Sequence, residues 1–384
     1  MTSNHKVGFK THFAALDGFR AIAVTMVFAE HYGGGSHGGA VLRAFNFLRV
    51  FGSAGVGMFF VLSGFLITGI LYDTRHDAHY FRNFYARRSL RIFPIFYLVL
   101  ALCVVLAPWL KYPLQWGHLS FPFYLGNVVA NWNWSLYELP SPVIPALSIN
   151  LGHFWSLFVE EQFYLVWPVV VFLVKDRERL LKLAFVIIVL VLLGRIALVV
   201  ALPFELAERF AFRQLPTRAD DLLIGGVLAL LLRGSRPAYW LRLSGPFFLG
   251  GIAGIAALGA WRHSLSFYNP WMLTIGMDLV AIASAGLIGI AIQRQTLACK
   301  LLSYPVLRRI GIYSYGFYIY HLLFDKARLQ YLVWAAAHFH SLAIAGLLSG
   351  ITGYLGTLAV AALSYELYER RFLRMKSHFQ YSER

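Results

Sequence analysis

Long apolar segments recur along the whole chain, and they constrain its fold more than any other feature. A helix needs roughly 20 mostly apolar residues to cross the hydrocarbon core of a membrane. We predict an all-α, polytopic membrane helix bundle with about ten transmembrane helices. The predicted spans are Leu16–Tyr32, Gly55–Tyr72, Ile92–Trp109, Phe154–Val174, Leu183–Leu202, Asp221–Leu232, Leu243–Trp261, Trp271–Ile292, Ile310–Phe324 and Leu342–Tyr365.

The composition argues against a separate soluble domain. Charged residues make up only 14% of the chain and hydrophobic residues 59%, whereas soluble domains carry about 25% charged residues. No polar stretch separates the apolar segments, so we expect one membrane domain over residues 1–384. Cys103 and Cys299 are far apart and form no CxxC spacing, so neither a metal site nor a disulfide framework is predicted.

The basic residues indicate how the chain is oriented. A formal charge of +16 is compatible with nucleic-acid binding, but Lys and Arg lie in short clusters between the apolar segments. If both termini are inside, 24 of the 34 lie in inside segments and 9 in outside loops. Cytoplasmic loops carry such an excess. We therefore predict a multi-pass protein of the cell inner membrane with both termini cytoplasmic and no nucleic-acid partner.

The first span carries ionisable residues, which usually mark function inside a membrane. Arg20 and His31 are eleven residues apart, close to three helical turns, so they share one face and are separated by about 16 Å along the axis. Glu30 adds a carboxyl group beside His31. The alternative is that Arg20 only reaches lipid phosphates and His31 is an ordinary interfacial histidine.

The fourth span contains a polar stripe. His153, Ser156, Glu160, Tyr164 and Trp167 follow the spacing of one helical face, which predicts that this face lines a cavity. Neighbouring Glu161 is displaced by about 100° and is expected to contact another helix or cap a loop. A carboxyl group buried only for packing is the alternative.

Other polar residues leave their roles open. Arg87, Arg88 and Arg91 are predicted in the inside loop before the third span, where Arg88 and Arg91 are placed to bind one anion. Anchoring at the inner membrane surface explains that cluster equally well. Arg218, Asp220 and Asp221 open the sixth span and are expected to form an ion pair. His321 is expected to be hydrogen-bonded structure, since nothing reactive is near it in sequence.

Several ordered motifs resemble those of the membrane acyltransferase-3 family, and together they cover nearly the whole chain. They are Leu16-Asp17-Gly18-Phe19-Arg20-Ala21 with His31, the run Gly55–Ile67, Arg88–Pro94, Trp155-Ser156-Leu157 with Glu160–Leu165, Ser314-Tyr315 with Tyr318 and His321, and Ser364-Tyr365-Glu366 with Glu369-Arg370. Some family members carry an extracytoplasmic SGNH hydrolase-like domain. Because this sequence stops soon after its last predicted span, we expect that domain to be absent.

The resemblance implies O-acylation, commonly O-acetylation, with acyl-coenzyme A as donor on the cytoplasmic side. The implied acceptor is a hydroxyl of a saccharide or glycoconjugate, such as cell-surface polysaccharide, lipopolysaccharide O-antigen or exopolysaccharide. The expected catalytic residues are His31, Glu160 and Glu161, and the expected donor-binding residues are Arg20, Arg88 and Arg91. The expected acceptor-binding residues are His153, Trp155, Ser156, Tyr164, Arg218 and Asp220.

The proposed chemistry combines these residues. The arginines hold the phosphates of acyl-coenzyme A, and His31 acts as general base on the acceptor hydroxyl. Glu160 is predicted to orient the imidazole of His31. Direct transfer is favoured because no serine or cysteine is an evident nucleophile. Two alternatives remain: a saccharide or lipid transporter without covalent chemistry, and a scaffold for another enzyme.

Overall fold

The computed structural model describes residues 13–32 and 49–381. Nearly all regular structure in these two stretches is helical, as expected from the sequence. The exception is a short antiparallel pair, β1 (Glu138–Leu139) and β2 (Ile149–Asn150), with Glu138 opposite Asn150. This pair belongs to the long loop between the third and fourth predicted spans.

The helices account for every predicted span and add several more. The first half contains α1 (Ala14–Tyr32), α2 (Ala54–Thr74), α3 (Tyr80–Leu110), α4 (Gly126–Ala130), α5 (Phe154–Val174), α6 (Arg177–Ala201), α7 (Phe204–Arg213) and α8 (Ala219–Leu231). The second half contains α9 (Pro237–Arg262), α10 (Met277–Ala291), α11 (Leu297–Leu302), α12 (Pro305–Tyr320), α13 (Asp325–Phe339), α14 (Leu342–Ser364) and α15 (Arg370–Arg374). Short π-helical turns precede α10 at Met272–Gly276 and follow α14 at Tyr365–Glu369.

Among the described residues, seven helices are long and apolar enough to cross a membrane, so the chain is a multi-pass membrane protein. They are α2, α3, α5, α6, α9, α10 with its π-helical turn, and α14 with the residues that follow it. Of the other predicted spans, α8 has 13 residues and α12 has 16, and α1 carries Asp17, Arg20 and Glu30. Ten spans and cytoplasmic termini therefore stay predictions.

Helix α2 lies at the centre of the bundle. In its most apolar window 83% of residues are buried inside the protein, compared with 17% for α6. Helix α2 crosses α8 very closely: a Cβ atom added at Gly64 would lie 1.7 Å from the Leu222 carbonyl oxygen, and one at Gly225 would lie 1.9 Å from that of Val61. Small residues let transmembrane helices approach this closely. Any side chain at these two glycines would force α2 and α8 apart.

The largest departure from the sequence prediction is in α3, which begins at Tyr80 instead of Ile92. Its 31 residues span about 46 Å, well beyond a hydrocarbon core of about 30 Å. Arg87, Arg88 and Arg91 therefore lie on a helix and not in a loop, which corrects the prediction. An apolar run indicates only the part of a helix that contacts lipid. A charged extension of the same helix is therefore not predicted from it. Helix α13 was also not predicted.

Candidate functional site

Two cavities lie inside the helix bundle. The inner cavity, named after the predicted orientation, has a volume of about 880 Å³, and the outer cavity about 1020 Å³. Val56 and Tyr318 line both, so the two cavities meet at these side chains. Polar residues that line the inner cavity include Arg20, Ser63, Arg88, Arg91, Ser156, Glu160 and Tyr164. Polar residues that line the outer cavity include Glu30, His31, Glu138, His153, Glu208, Arg213, Asp325 and Arg328.

Helix α1 connects the two cavities. Arg20 lines the inner cavity and His31 lines the outer one. Their eleven-residue separation corresponds to about 16 Å of helix, and three turns keep both on the same face. One helix face thus presents a cation to one cavity and an imidazole to the other.

The inner cavity has unpaired arginines. Arg20 is paired with Asp17 at 2.7 Å. Arg88 and Arg91, in contrast, form no ion pair and no side-chain hydrogen bond with any residue in the described stretches, although the Arg88 guanidinium lies 5.3 Å from the centre of the Tyr164 ring. Both are half-buried. Guanidinium groups that face a cavity and touch no carboxylate are suited to bind an anionic ligand.

Glu160 belongs to the inner cavity, which corrects its predicted pairing with His31. The Tyr164 hydroxyl donates a hydrogen bond to Glu160 Oε1 at 2.8 Å, and Ser63 Oγ is hydrogen-bonded to the same hydroxyl. The carboxyl group that interacts electrostatically with His31 is that of Glu30, the next residue in the chain. Spacing along α5 could not show which end of that helix meets His31.

The His31 ring is held by its own helix. Its Nδ1 lies 2.8 Å from the carbonyl oxygen of Val27, one turn earlier. A carbonyl oxygen can only accept a hydrogen bond, so Nδ1 carries a hydrogen, and in the neutral ring the lone pair is on Nε2. A backbone carbonyl oxygen has two lone pairs, so the Val27 carbonyl can accept this bond beside its helical one. Nε2 is the basic atom that remains for the outer cavity.

Two further histidines lie next to His31. The ring of His321 is centred 5.2 Å from that of His31 and 4.8 Å from that of His153. His153 donates from Nε2 to the Ile319 carbonyl at 3.0 Å, and burial lowers the pKa of His153, the residue before α5, to about 3. His321 bonds to the Tyr318 carbonyl at 2.7 Å, as the sequence predicts for hydrogen-bonded structure, yet packing brings it to His31. His321 and His31 are far apart in the sequence, so the sequence did not indicate that they are neighbours.

Tyr318 stands where the two cavities meet. Its hydroxyl donates to the His153 carbonyl at 3.0 Å and lies 2.5 Å from Ser156 Oγ. The predicted acceptor-binding residues in and beside α5 are divided: His153 and Trp155 line the outer cavity, whereas Ser156 and Tyr164 line the inner one. The four were predicted to bind one acceptor. The last residue of the stripe, Trp167, is buried and donates to Thr68 Oγ1 at 2.8 Å.

The outer cavity combines aromatic faces with paired charges. Arg213 and Glu208 form two hydrogen bonds, at 2.8 and 3.1 Å, and the Arg213 guanidinium lies 4.6 Å from the centre of a Trp134 ring. Trp134 and Trp155 both line the cavity. Indole rings offer large apolar faces with one N–H donor, so the surface suits a ligand that is partly apolar and rich in hydroxyl groups.

Arg218 and Asp220 line neither cavity, so their predicted role in acceptor binding gains no support from their position. Arg218 pairs with Asp221 at 2.7 Å, so the expected ion pair at the start of this span is present. Asp220 pairs with Arg195 of α6, which also contacts Asp278 at 2.6 Å. These buried groups join α6, α8 and α10.

Glu161 also lines neither cavity, so the prediction that it takes part in catalysis gains no support from its position. Its carboxyl group is close enough to Tyr97, Tyr124 and Tyr315 to interact with them electrostatically. This corresponds to the sequence expectation that Glu161 faces a neighbouring helix.

Comparison with known sequences identifies the family. The sequence model described as an acyltransferase domain matches residues 13–366. The chain belongs to the acyltransferase-3 family. The match covers both cavities and all of the helices up to the π-helical turn after α14. No solved structure matches the chain significantly.

Curated relatives that the chain matches include proteins named as O-acetyltransferases. The chain is 30% identical to peptidoglycan O-acetyltransferase OatA of Listeria monocytogenes over 333 residues, which is 81% of this chain and 49% of the relative. It is 30% identical to the putative peptidoglycan O-acetyltransferase YrhL of Bacillus subtilis, with 83% and 49% covered. O-acetyltransferase OatA of Staphylococcus aureus is 28% identical, with 81% and 50% covered. The chain spans about half the length of these relatives.

Proposed function

We propose that this chain transfers an acetyl group from acetyl-coenzyme A, bound in the inner cavity, to a hydroxyl group of a cell-envelope saccharide in the outer cavity. One observation carries the proposal: unpaired arginines and an imidazole with a free basic nitrogen lie in two cavities that meet at Val56 and Tyr318. The protein acts in the cell inner membrane as a single membrane domain. The arginine side faces the cytoplasm, where the donor is made.

Arg88 and Arg91 bind the donor's phosphates. Each guanidinium offers a planar set of N–H donors that matches phosphate oxygens, and charge-assisted bonds of this kind are about twice as strong as neutral ones. Arg20 lies beside them and interacts electrostatically with both. Because Asp17 already neutralises part of its charge, Arg20 contributes less to binding and more to positioning. The thioester then points from these arginines towards Tyr318.

His31 activates the acceptor. Its Nε2 takes the proton of the saccharide hydroxyl while the hydroxyl oxygen attacks the thioester carbonyl carbon. The new C–O bond forms, the C–S bond breaks, and the coenzyme leaves as a thiolate. The proton held by His31 then passes to that thiolate, so the products are the O-acetyl saccharide and free coenzyme A. Nδ1 remains bonded to the Val27 carbonyl throughout, which keeps the ring in place.

Glu160 positions the donor site and does not orient His31. It accepts the hydrogen bond of Tyr164, and the ring of Tyr164 faces the Arg88 guanidinium. A cation over an aromatic face is attracted by about 0.5–2 kcal/mol. Glu160 therefore acts through Tyr164 on the orientation of Arg88. It also balances part of the positive charge in the inner cavity.

The relatives named peptidoglycan O-acetyltransferases make a peptidoglycan-type glycan the first acceptor to test. Trp134 and Trp155 offer faces for a sugar ring, and the Arg213–Glu208 pair offers groups that can bond its hydroxyls. Membrane-anchored or exported polysaccharides present the same hydroxyl chemistry. The outer cavity faces the compartment in which all of these acceptors occur.

Purified chain in lipid nanodiscs, supplied with acetyl-coenzyme A labelled in the acetyl group, tests the proposal. Peptidoglycan fragments and neutral oligosaccharides are offered separately as acceptors. The expected result is a labelled ester on a glycan that is released by mild base, together with one free thiol per ester. Glycan that crosses a sealed bilayer without modification would instead identify a transporter.

A further inference from the structure

The residues after α15 fold back along the first turns of α3. We call residues 375–381 the tail. The Arg87 guanidinium donates to the backbone carbonyls of Lys376 and Phe379 at 3.0 and 3.1 Å. The buried side chain of Asn83 donates to the Gln380 carbonyl at 2.8 Å. These three hydrogen bonds hold the tail against α3 through backbone atoms.

Aromatic contacts fix the same arrangement. The Arg82 guanidinium lies 5.9 Å from the centre of the Phe379 ring, and the Arg87 guanidinium lies 5.9 Å from that of Tyr381. Arginine over an aromatic face is a favourable contact. The tail therefore docks on the arginine-rich end of α3.

Docking brings Lys376 into a cluster of like charges. The charged groups that act most strongly on its ammonium group are those of Arg91, Arg88, Arg87 and Arg20. Lys376 is half-buried and forms no ion pair within the described part of the chain. Such a cluster is electrostatically unfavourable by itself. A bound polyanion would remove the repulsion.

Lys376 and the arginines differ in position and in chemistry. Arg88 and Arg91 line the inner cavity, whereas Lys376 does not line it but lies close enough to act on both. A ligand whose acyl end enters the cavity has its other end outside, beside Lys376. The compact ammonium group of lysine acts as a point charge, and a phosphate monoester, with a charge of about −1.5 to −2 at pH 7, is the strongest phosphate partner for it.

We propose that Lys376, presented by the tail, binds the terminal phosphate monoester of the acyl-coenzyme A donor. This rests on the proposed function and adds to it a residue outside the predicted arginine motif. Arg88 and Arg91 contact the pyrophosphate nearer the thioester. The tail thereby makes the donor site selective for coenzyme A over shorter pantetheine thioesters.

Steady-state kinetics with two donors test this proposal. Acetyl-coenzyme A is compared with acetyl-dephospho-coenzyme A, which lacks only the terminal phosphate. In Lys376→Gln, KM for acetyl-coenzyme A should rise about ten-fold, the loss of one charge-assisted hydrogen bond, with kcat unchanged. KM for acetyl-dephospho-coenzyme A should be the same in Lys376→Gln as in the unmodified protein. Lys376→Arg should restore most of the difference in KM between acetyl-coenzyme A and acetyl-dephospho-coenzyme A.

The matched control is Arg374→Gln, which removes an exposed cation from the neighbouring helix α15 and should change neither KM. Equal KM changes for both donors in Lys376→Gln would mean that Lys376 only holds the tail in place, and no change for either would also overturn the proposal. If the unmodified protein acetylates no glycan, direct binding of coenzyme A and dephospho-coenzyme A by calorimetry gives the same comparison. A failure of the proposed acetyl transfer can then be distinguished from a failure of Lys376 to bind the terminal phosphate.

A second variant tests whether the tail delivers the lysine. Arg87→Ala removes two of the three hydrogen bonds to the tail backbone but leaves Lys376 in the sequence. The same donor-selective rise in KM is expected, and combining Arg87→Ala with Lys376→Gln should add little to it. Fully additive effects would show that Lys376 does not depend on docking of the tail.

Discussion

Arg195 and Arg88 both lie on long transmembrane helices, yet their surroundings are opposite. Arg195 is fully buried and touches two carboxylates, those of Asp220 and Asp278. Arg88 faces a cavity and forms no ion pair with any described residue. A buried charge must be paired inside the protein, whereas a charge that faces a cavity can be neutralised by a bound ligand. In our proposal, a direct ion pair inside the protein thus separates arginines that stabilise the fold from arginines that bind substrate.

The largest effect expected from this contrast is on stability. Arg195→Ala leaves Asp220 and Asp278 without their cation, and breaking a buried pair in this way costs about 3–5 kcal/mol. The melting temperature and the monodisperse fraction in detergent should both fall sharply. Arg88→Ala serves as the matched control and should melt within a degree or two of the unmodified protein. Equal stability of the two variants would remove the distinction.

In the inner cavity we expect the opposite: a loss of donor binding without a loss of stability. Replacing Arg88 and Arg91 together by alanine should raise KM for acetyl-coenzyme A by about 100-fold, since a hydrogen bond to a charged group contributes about 1.5–3 kcal/mol. Unfolding should not be affected. Donor titrations at two salt concentrations measure the loss, and the unmodified protein should show the steeper salt dependence.

The control for the double variant is Lys182→Gln, which removes an exposed cation near the start of α6. Its KM for the donor should match that of the unmodified protein. If Lys182→Gln weakened donor binding as much as the double variant does, overall positive charge and not the cavity would attract the donor.

The smallest effect is expected for an ion pair that is neither buried nor beside a cavity. Arg370 and Glu366 pair at 2.8 Å with about half of each side chain exposed. Exposed pairs of this spacing contribute about 0.3–0.5 kcal/mol. Arg370→Gln should therefore leave melting temperature and both kinetic constants nearly unchanged. A loss comparable to that of Arg195→Ala would show that pairing alone, and not burial, determines the effect.

Features within one helix were predictable from the sequence. The spacing of Arg20 and His31 placed them on one face of α1, and they reach both cavities as that spacing requires. The stripe from His153 to Tyr164 was likewise recognised on α5. Helical periodicity fixes these relations before any packing occurs. The family motifs pointed to the same residues.

Relations between helices were not predictable from periodicity. Glu160 was paired with His31, but the depth at which α5 packs against α1 places it with Tyr164 in the inner cavity. Asp220 was predicted to bind the acceptor, but the packing of α8 against α6 pairs it with Arg195. Lys376 was counted only as a basic residue of the inner side. Each of these contacts depends on which helix ends lie together. The helical periodicity of a single sequence does not indicate how its helices pack against one another.

The most direct test of the account is the separation of kcat from KM in His31→Ala, measured beside Arg88→Ala in protein that inserts normally. Loss of a general base lowers kcat by about 10²–10⁴-fold, so His31→Ala should bind acetyl-coenzyme A with unchanged affinity and transfer almost no acetyl group. Arg88→Ala should keep its kcat at saturating donor and lose affinity. Unimpaired transfer by His31→Ala, or unchanged donor affinity in Arg88→Ala, would contradict the division of the reaction between two cavities.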